Sequence, residues 1–547
     1  MPITKIIIEN FKGIRDRVEI PIRPLTLLFG ANSAGKTTIL HALLYLRELL
    51  ERQNADADRV IGGGKDIYLG GFRQLVHGHD DSKTVTVGVE FSLDEDGLEA
   101  YPIFRHPKNS IDSDQPSDPV WEHGVSGVTT TTIEIDVAVS RVTGRPIVAS
   151  YRIAINGERM GEINGDREMQ AVLTGINTRH PIFDAQYSPD AFDPESPNPI
   201  SAALETTFEG SHYIGPKAIS SGWIALGSTV IPKWGRALDI EIEDKLEEAE
   251  AIQAPFTKFI LSQLMVRPGE LVLEHLRSYR HLGPIRAVPD LSSISQRSPS
   301  ADRWIDGMAA WDLLSADAES QDSKNQLIGK VASYLKDENK LNLGYSLGAE
   351  TVRDIPVDSP IAKILERFVT APDEFENEAA LSAAYVEALT RKARAQLQLT
   401  DLRRNIFVNP SDIGAGVSQV IPVLVSILDA GSKVTAIEQP ELHLHPAVQC
   451  SLGDLFVREV NRENERFFLI ETHSEHLLLR LMRRIRETQS ESGLTPELAL
   501  RPDGITILFV ETYEGRSVYR EMPLNERGEL VKAWPGGFFE EDLEELM

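Results

Sequence analysis

The chain has 547 residues, of which 41% are apolar, 7% aromatic and 25% charged; this excludes a disordered polymer and leaves room for about two to four domains, or one large domain with insertions. Its 56 basic and 83 acidic residues give a formal charge of −27, a field that repels phosphate backbones at long range and argues against a simple nucleic-acid-coating protein. One cysteine, Cys450, excludes an intrachain disulfide framework or a cysteine-based zinc site; the opening MPITKIIIENFKGIRD has no secretory pattern, and no run of about eighteen apolar residues could span a membrane, so the default expectation is the cytoplasm.

From the N-terminus, TKIIIENF, RVEIPI and PLTLLFG read as strands, and the last runs through GANSAGKT into the helical TTILHALLYLRELLER. Gly30 to Thr37 match G-x-x-x-x-G-K-[ST] between strand and helix. In such a loop Gly30, Ala31, Asn32, Ser33, Ala34 and Gly35 curl their backbone N–H groups round phosphates at a helix start that includes Thr38. Lys36 reaches the β and γ oxygens, and the Thr37 hydroxyl ligates Mg²⁺. ATP and Mg²⁺ are therefore the expected ligands.

From about Lys83 the pattern alternates in KTVTVGVEFSL, GVTTTTIEIDVAVS and IVASYRIAING, separated by polar loops such as KNSIDSDQPSDP, which predicts a β-rich lobe. Proline, glycine and serine mark a boundary between about 190 and 235. Helical periodicity follows in IEIEDKLEEAEAIQAPFTKFILSQLM and in ENEAALSAAYVEALTRKARAQLQL, without sustained heptads, which excludes a long coiled-coil arm. After residue 400 apolar strands VTAIEQ, RFFLIET and GITILFVET alternate with helices, as in a mostly parallel α/β sheet. The expected divisions are 1–95, 96–235, 236–400 and 401–547: an N-terminal part with the phosphate loop, a β-rich insertion, a mainly helical lobe and a C-terminal part.

A phosphate loop needs a second acidic group at the end of an apolar strand, and VTAIE supplies Glu438. Before it stands a glycine-rich loop feeding an apolar helix, DIGAGVSQVIPVLVSILDAG; after it comes FFLIETHSEH. These motifs, in this order, resemble the ABC-type ATPases of the RecF, SMC and OLD group. IEQPELHLHP, ETHSEHLL and the closing WPGGFF look most like the stand-alone ATPases of bacterial anti-phage defence operons, the Septu type among them.

The resemblance covers about the first ninety residues and those after about 400, with only HLGPIR matching between. It implies an α/β ABC-ATPase head assembled from both ends of the chain round a central β-rich and helical insertion. It gives Glu438 the metal-associated place and His473 the switch-histidine place, puts Lys12 or Arg15 near the nucleotide, and suggests Gln74 as the metal-sensing glutamine. Two departures stand out. Where an ABC signature serine is expected, this chain has Gly414 or Ala415, with Ser418 displaced, so backbone N–H groups near Gly416 would bind the anion. Gln439 occupies the place of the general base, and an amide orients water without accepting its proton. Glu441 then serves as base or as a helix N-terminal carboxylate, with His473 the next candidate for base.

The histidines of HLH and HSEH allow a metal cluster, but the resemblance assigns His473 to nucleotide. The arginines of LLLRLMRRIRE form either a solvated helix face or a phosphate-binding surface, and the carboxylates of GFFEEDLEELM offer either a nuclease metal site or an acidic terminus that is solvated or docked to a partner. The functional expectations are three: a slow Mg²⁺-dependent ATPase forming nucleotide-sandwich homodimers or higher oligomers and controlling an effector such as a nuclease, a non-hydrolysing nucleotide-gated switch, or a RecF-like DNA-maintenance ATPase.

Overall fold

The computed structural model describes residues 3–57, 59–60, 67–94, 97–99, 125–165, 171–186, 224–225, 229–238, 253–289, 303–315, 321–370, 378–391, 393–462, 466–490 and 495–538. KNSIDSDQPSDP and the acidic residues 540–545 lie outside them.

The centre is a six-stranded sheet in the spatial order Arg280–Leu282, Val434–Glu438, Phe467–Glu471, Leu25–Gly30, Ile505–Tyr513 and Arg516–Glu521. The first five strands run parallel and the last returns antiparallel as a hairpin. Strands such as LTLLFG and FFLIE are buried along their whole length because helices cover both faces. Leu28, Leu469 and Leu508 pack on one side with the helix Lys36–Arg52. Leu27, Phe29, Phe468, Ile470 and Ile507 pack on the other with the helices Ala415–Leu428, Pro446–Arg462 and Glu475–Gln489. The sheet is α/β and takes its strands from both ends of the chain. It also reaches into the middle, to Arg280–Leu282, which pairs in parallel with Thr435 to Ile437.

An eight-stranded antiparallel sheet lies beyond the Lys36–Arg52 helix, in the order Ile224–Ala225, Ala171–Thr174, Glu158–Gly165, Pro146–Ile155, Thr130–Val139, Val85–Ser92, Ile3–Glu9 and Val18–Pro21. The alternating segments KTVTVGVEFSL, GVTTTTIEIDVAVS and IVASYRIAING thus extend the sheet that the first strand begins. Their inward residues, Val87, Val89, Ile133, Ile135 and Ile153, share a core with Leu40, Leu43 and Tyr45 of the helix.

Helix forms over Gln253–Met265, and residues 239–252 lie outside the described set. In ENEAALSAAYVEALTRKARAQLQL the helix spans Glu378–Thr390 and then gives way to a strand, Ala393–Asp401, which pairs with Tyr345–Arg353 along its whole length. Ala, Arg, Gln and Leu favour helix locally, but ARAQLQLT also alternates with period two, and an antiparallel partner plus burial of Leu397 and Leu399 overrides the local preference. No helix among the described residues is long and apolar enough to cross a membrane.

Candidate nucleotide-binding site

Gly30, Glu438 and Glu471 end three parallel strands and so meet at one edge of the sheet, the edge where open α/β sheets bind ligands. Gly30 takes φ +138°, and a Cβ there would stand 2.0 Å from the Val510 carbonyl oxygen, so only glycine lets the chain turn out of the strand. Ser33 and Gly35 are also left-handed, at φ 64° and 105°. The loop leaves Ala31, Asn32 and Ser33 exposed and tucks Ala34, Lys36 and Thr38 inside. Lys36 Nζ donates to the carbonyls of Gly30 and Ala31, both at 3.0 Å. The hairpin strand braces the loop from outside, with Ser517 Oγ donating to Ala34 O at 2.7 Å and Tyr519 OH to Gly35 O at 2.8 Å.

The carboxylate beside Thr37 is Glu471: Thr37 Oγ1 donates to Glu471 Oε2 at 2.9 Å, and Lys36 Nζ lies 3.6 Å from Oε1. Burial raises the Glu471 carboxyl above its usual range, and Glu438 adds to this while Lys36 opposes it. Glu438 ends the next strand out and pairs with His281 Nε2 at 2.7 Å. Behind His281 stands His41 with rings 6.2 Å apart, and His41 Nδ1 lies 2.6 Å from Lys12 Nζ. Burial lowers Lys12 to about 8 and holds His41 neutral, well below its usual value.

Gln439 is held by its backbone. It adopts φ 45°, and its N–H donates to Glu471 O at 2.7 Å. Arg286 Nη2 donates to the carbonyls of Glu438 at 2.6 Å and Gln439 at 3.2 Å. Arg286 is 3% exposed, and its Nε and Nη1 have no partner. Burial lowers it to about 10, against the pull of Glu441 and Glu438.

Glu441 is buried, with Oε1 accepting the His473 N–H at 2.8 Å and Oε2 unpartnered. Burial raises its carboxyl, while hydrogen bonds and Arg286 pull the other way. His473 is lowered first by burial and then by the charge of Lys36, and its buried Nε2 has no partner. Ser474 caps the next helix by accepting from Leu477 N at 2.9 Å, which fixes where His473 sits.

In the glycine-rich loop expected to act as the signature, Gly414 caps the helix Ala415–Leu428. A Cβ on Gly416 would come within 2.6 Å of His443 O, so the helix start packs on the HLH turn. Ser418 is buried and donates to Ala415 O at 3.2 Å, turned into its own helix. Gln419 makes two bonds with the Arg286 backbone, accepting from its N at 3.1 Å and donating to its O at 2.6 Å.

Arg15 is exposed beside Asp16. Gln74 is exposed, its amide folded over Gly70, and no described bond brings it to Lys36, Thr37 or Glu471. Arg480 and Arg484 both bond Asp454 and Arg483 bonds Glu487, so three arginines of the late helix pair with acids of the same layer. Reading the sequence did not single out Glu471, His281, Arg286, His41, Ser517 or Tyr519. Glu471 lay inside the quoted ETHSEH, where an acid at the end of an apolar strand directly ahead of Thr-His-Ser was the available signal.

Thr37 and Glu471 offer hard oxygen donors beside a buried lysine, a set that fits Mg²⁺ carried with nucleotide phosphates. The sheet order, phosphate loop, acidic strand ends and glycine-led helix give the α/β fold of an ABC-ATPase head carrying the loop of a nucleotide-binding ATPase domain. Residues 1–125 match the family model described as AAA ATPase domain, and residues 284–480 that described as AAA domain, putative AbiEii toxin, Type IV TA system. No curated protein matches. Similar solved structures include an SMC head bound to the C-terminal winged-helix domain of ScpA, 12% identical, covering 96% of this chain and 99% of that one, with TM-score 0.40. The SMC head domain from Thermotoga maritima is 9% identical, covering 96% of this chain and 100% of that one, with TM-score 0.34.

Proposed function

We propose that the chain is a slow, Mg²⁺-dependent ATPase that binds ATP between the phosphate loop of one copy and the signature loop of another and controls a partner effector. The observation that carries this reading is the pair Gln439 and Glu441: an amide stands where a base is expected, and a buried carboxylate two residues on keeps one oxygen free. Mg²⁺, when bound with ATP, neutralises phosphate charge. Lys36 binds the phosphates, Gln439 orients water, and Glu441 Oε2 takes its proton while Oε1 stays anchored on the His473 N–H. His473 Nε2 is the further unpartnered group on this side. Loss of an ideally placed base slows a reaction by about 10²- to 10⁴-fold, which is why turnover is slow.

The assignment of the effector as a nuclease in anti-phage defence, in the cytoplasm, rests on the resemblance of IEQPELHLHP and ETHSEHLL, and the toxin wording of the second family match is compatible with it. The backbone-pinned Gln439 also supports a second reading, an assembly switch with negligible turnover. The pairing of Arg480 and Arg484 with Asp454 weighs against the DNA-maintenance reading. Phosphate release and oligomer size, measured with and without ATP on the wild type and Lys36→Ala, test the proposal. Release and ATP-driven assembly that both depend on Lys36 support it; assembly without release supports the switch; neither overturns both.

A further inference from the structure

The loop hydroxyl that takes the metal already has an acidic partner, and that partner lies outside the motif that usually supplies one. Glu471 ends the strand directly beside Leu25–Gly30, paired at Glu471 with Leu28, and so reaches Thr37 Oγ1 at 2.9 Å without crossing another strand. Glu438 ends one strand further out, with its Oε1 on His281 Nε2 at 2.7 Å and the histidine side chain only 4% exposed. On this edge the carboxyl groups of Glu438, Glu441 and Glu471 are met by the cationic side chains of Lys36 and Arg286, and a hard divalent cation that keeps most of its waters would offset the remaining negative charge.

We infer that Glu471 is a metal-site residue: with Thr37 it supplies the protein oxygens for the divalent cation that accompanies a nucleoside triphosphate, and Glu438 acts as an outer carboxylate held in place by His281. The inference rests on the nucleotide-binding reading of the phosphate loop. It does not require hydrolysis, since a non-hydrolysing switch needs the same cation.

The test uses Mn²⁺ as the probe, titrated into the full chain with adenylyl imidodiphosphate, with free Mn²⁺ read by electron paramagnetic resonance. Glu471→Gln, nearly isosteric at a buried position, should retain metal-free nucleotide binding and bind Mn²⁺ about 10-fold or more weakly than wild type. Glu438→Gln should lose less, and Glu471→Asp, which keeps the charge, should recover part of the affinity even if the Gln variant folds poorly. Wild-type Mn²⁺ affinity in Glu471→Gln, or a loss confined to Glu438→Gln, overturns the inference. Lys36→Ala separates the two levels. If it binds nucleotide as the wild type does, the phosphate-loop reading fails; if it does not, and Glu471→Gln binds Mn²⁺ normally, only the metal assignment falls.

Discussion

Glu441 and His473 are joined across two strands: the Glu441 carboxylate accepts the His473 backbone N–H at 2.8 Å, so the turn after one acidic strand end is anchored to the loop that follows the other. The bond orients Glu441 without using His473's ring, and both Glu441 Oε2 and His473 Nε2 remain without partners.

Glu441→Gln removes the proposed proton acceptor and keeps the shape. Turnover should fall by about 10²-fold or more, with ATP affinity retained, in phosphate-release and equilibrium-binding assays on the same preparation. Because burial raises this carboxyl, the acidic limb of wild-type kcat should lie above the pH of an ordinary glutamate, and the variant should lack that limb. Unchanged turnover would remove Glu441 from the chemistry.

Gln439→Glu tests the same step from the other side. The position is already left-handed and held through its main chain, so changing the amide to a carboxylate leaves the turn intact. Phosphate release should rise about 10-fold or more, within the range a general base supplies.

Lys12 offers a pH test of stability. Its ammonium is lowered from 10.5 to about 8 by burial, so between those values the unfolded chain holds more protons than the folded one. Stability should therefore rise as pH climbs through this window, and the charged lysine should cost stability below it. Denaturant midpoints across the window should show the rise in the wild type and not in Lys12→Met.

Arg286→Met should be costly for a different reason. It strips the carbonyls of Glu438 and Gln439 of a buried donor, a loss of about 2 to 4 kcal/mol that a thermal melt would register. Gln419→Leu, which cuts only the link between Arg286 and the Ala415–Leu428 helix, should cost less stability and still lower ATP turnover. Equal effects of the two variants on melting and none of Gln419→Leu on turnover would rule out that link.

The central sheet was readable from the chain because its strands are short apolar runs, and the phosphate loop because its glycines and lysine have fixed spacing. What escaped notice depended on pairings distant in sequence. His281 finds Glu438 from 157 residues away and Arg286 finds it from 152, and nothing local in HLGPIR marks either as part of the site. ARAQLQLT was misread because its composition favours helix until Tyr345–Arg353 lies alongside. Glu471 was visible but unranked: that it lies beside Thr37 follows from strand order, which residue spacing does not encode.

Ser517 braces Ala34 from 483 residues further along the chain. During synthesis at about 5–20 residues per second, roughly half a minute to a minute and a half passes between the two leaving the ribosome. For that interval the growing chain carries a phosphate loop without its brace, and until Phe467–Glu471 emerges a buried Leu25–Gly30 strand without either neighbour. ATP binding should thus be one of the last properties the nascent protein acquires, and a chain cut short before Ile505–Tyr513 should need a chaperone to stay out of aggregates.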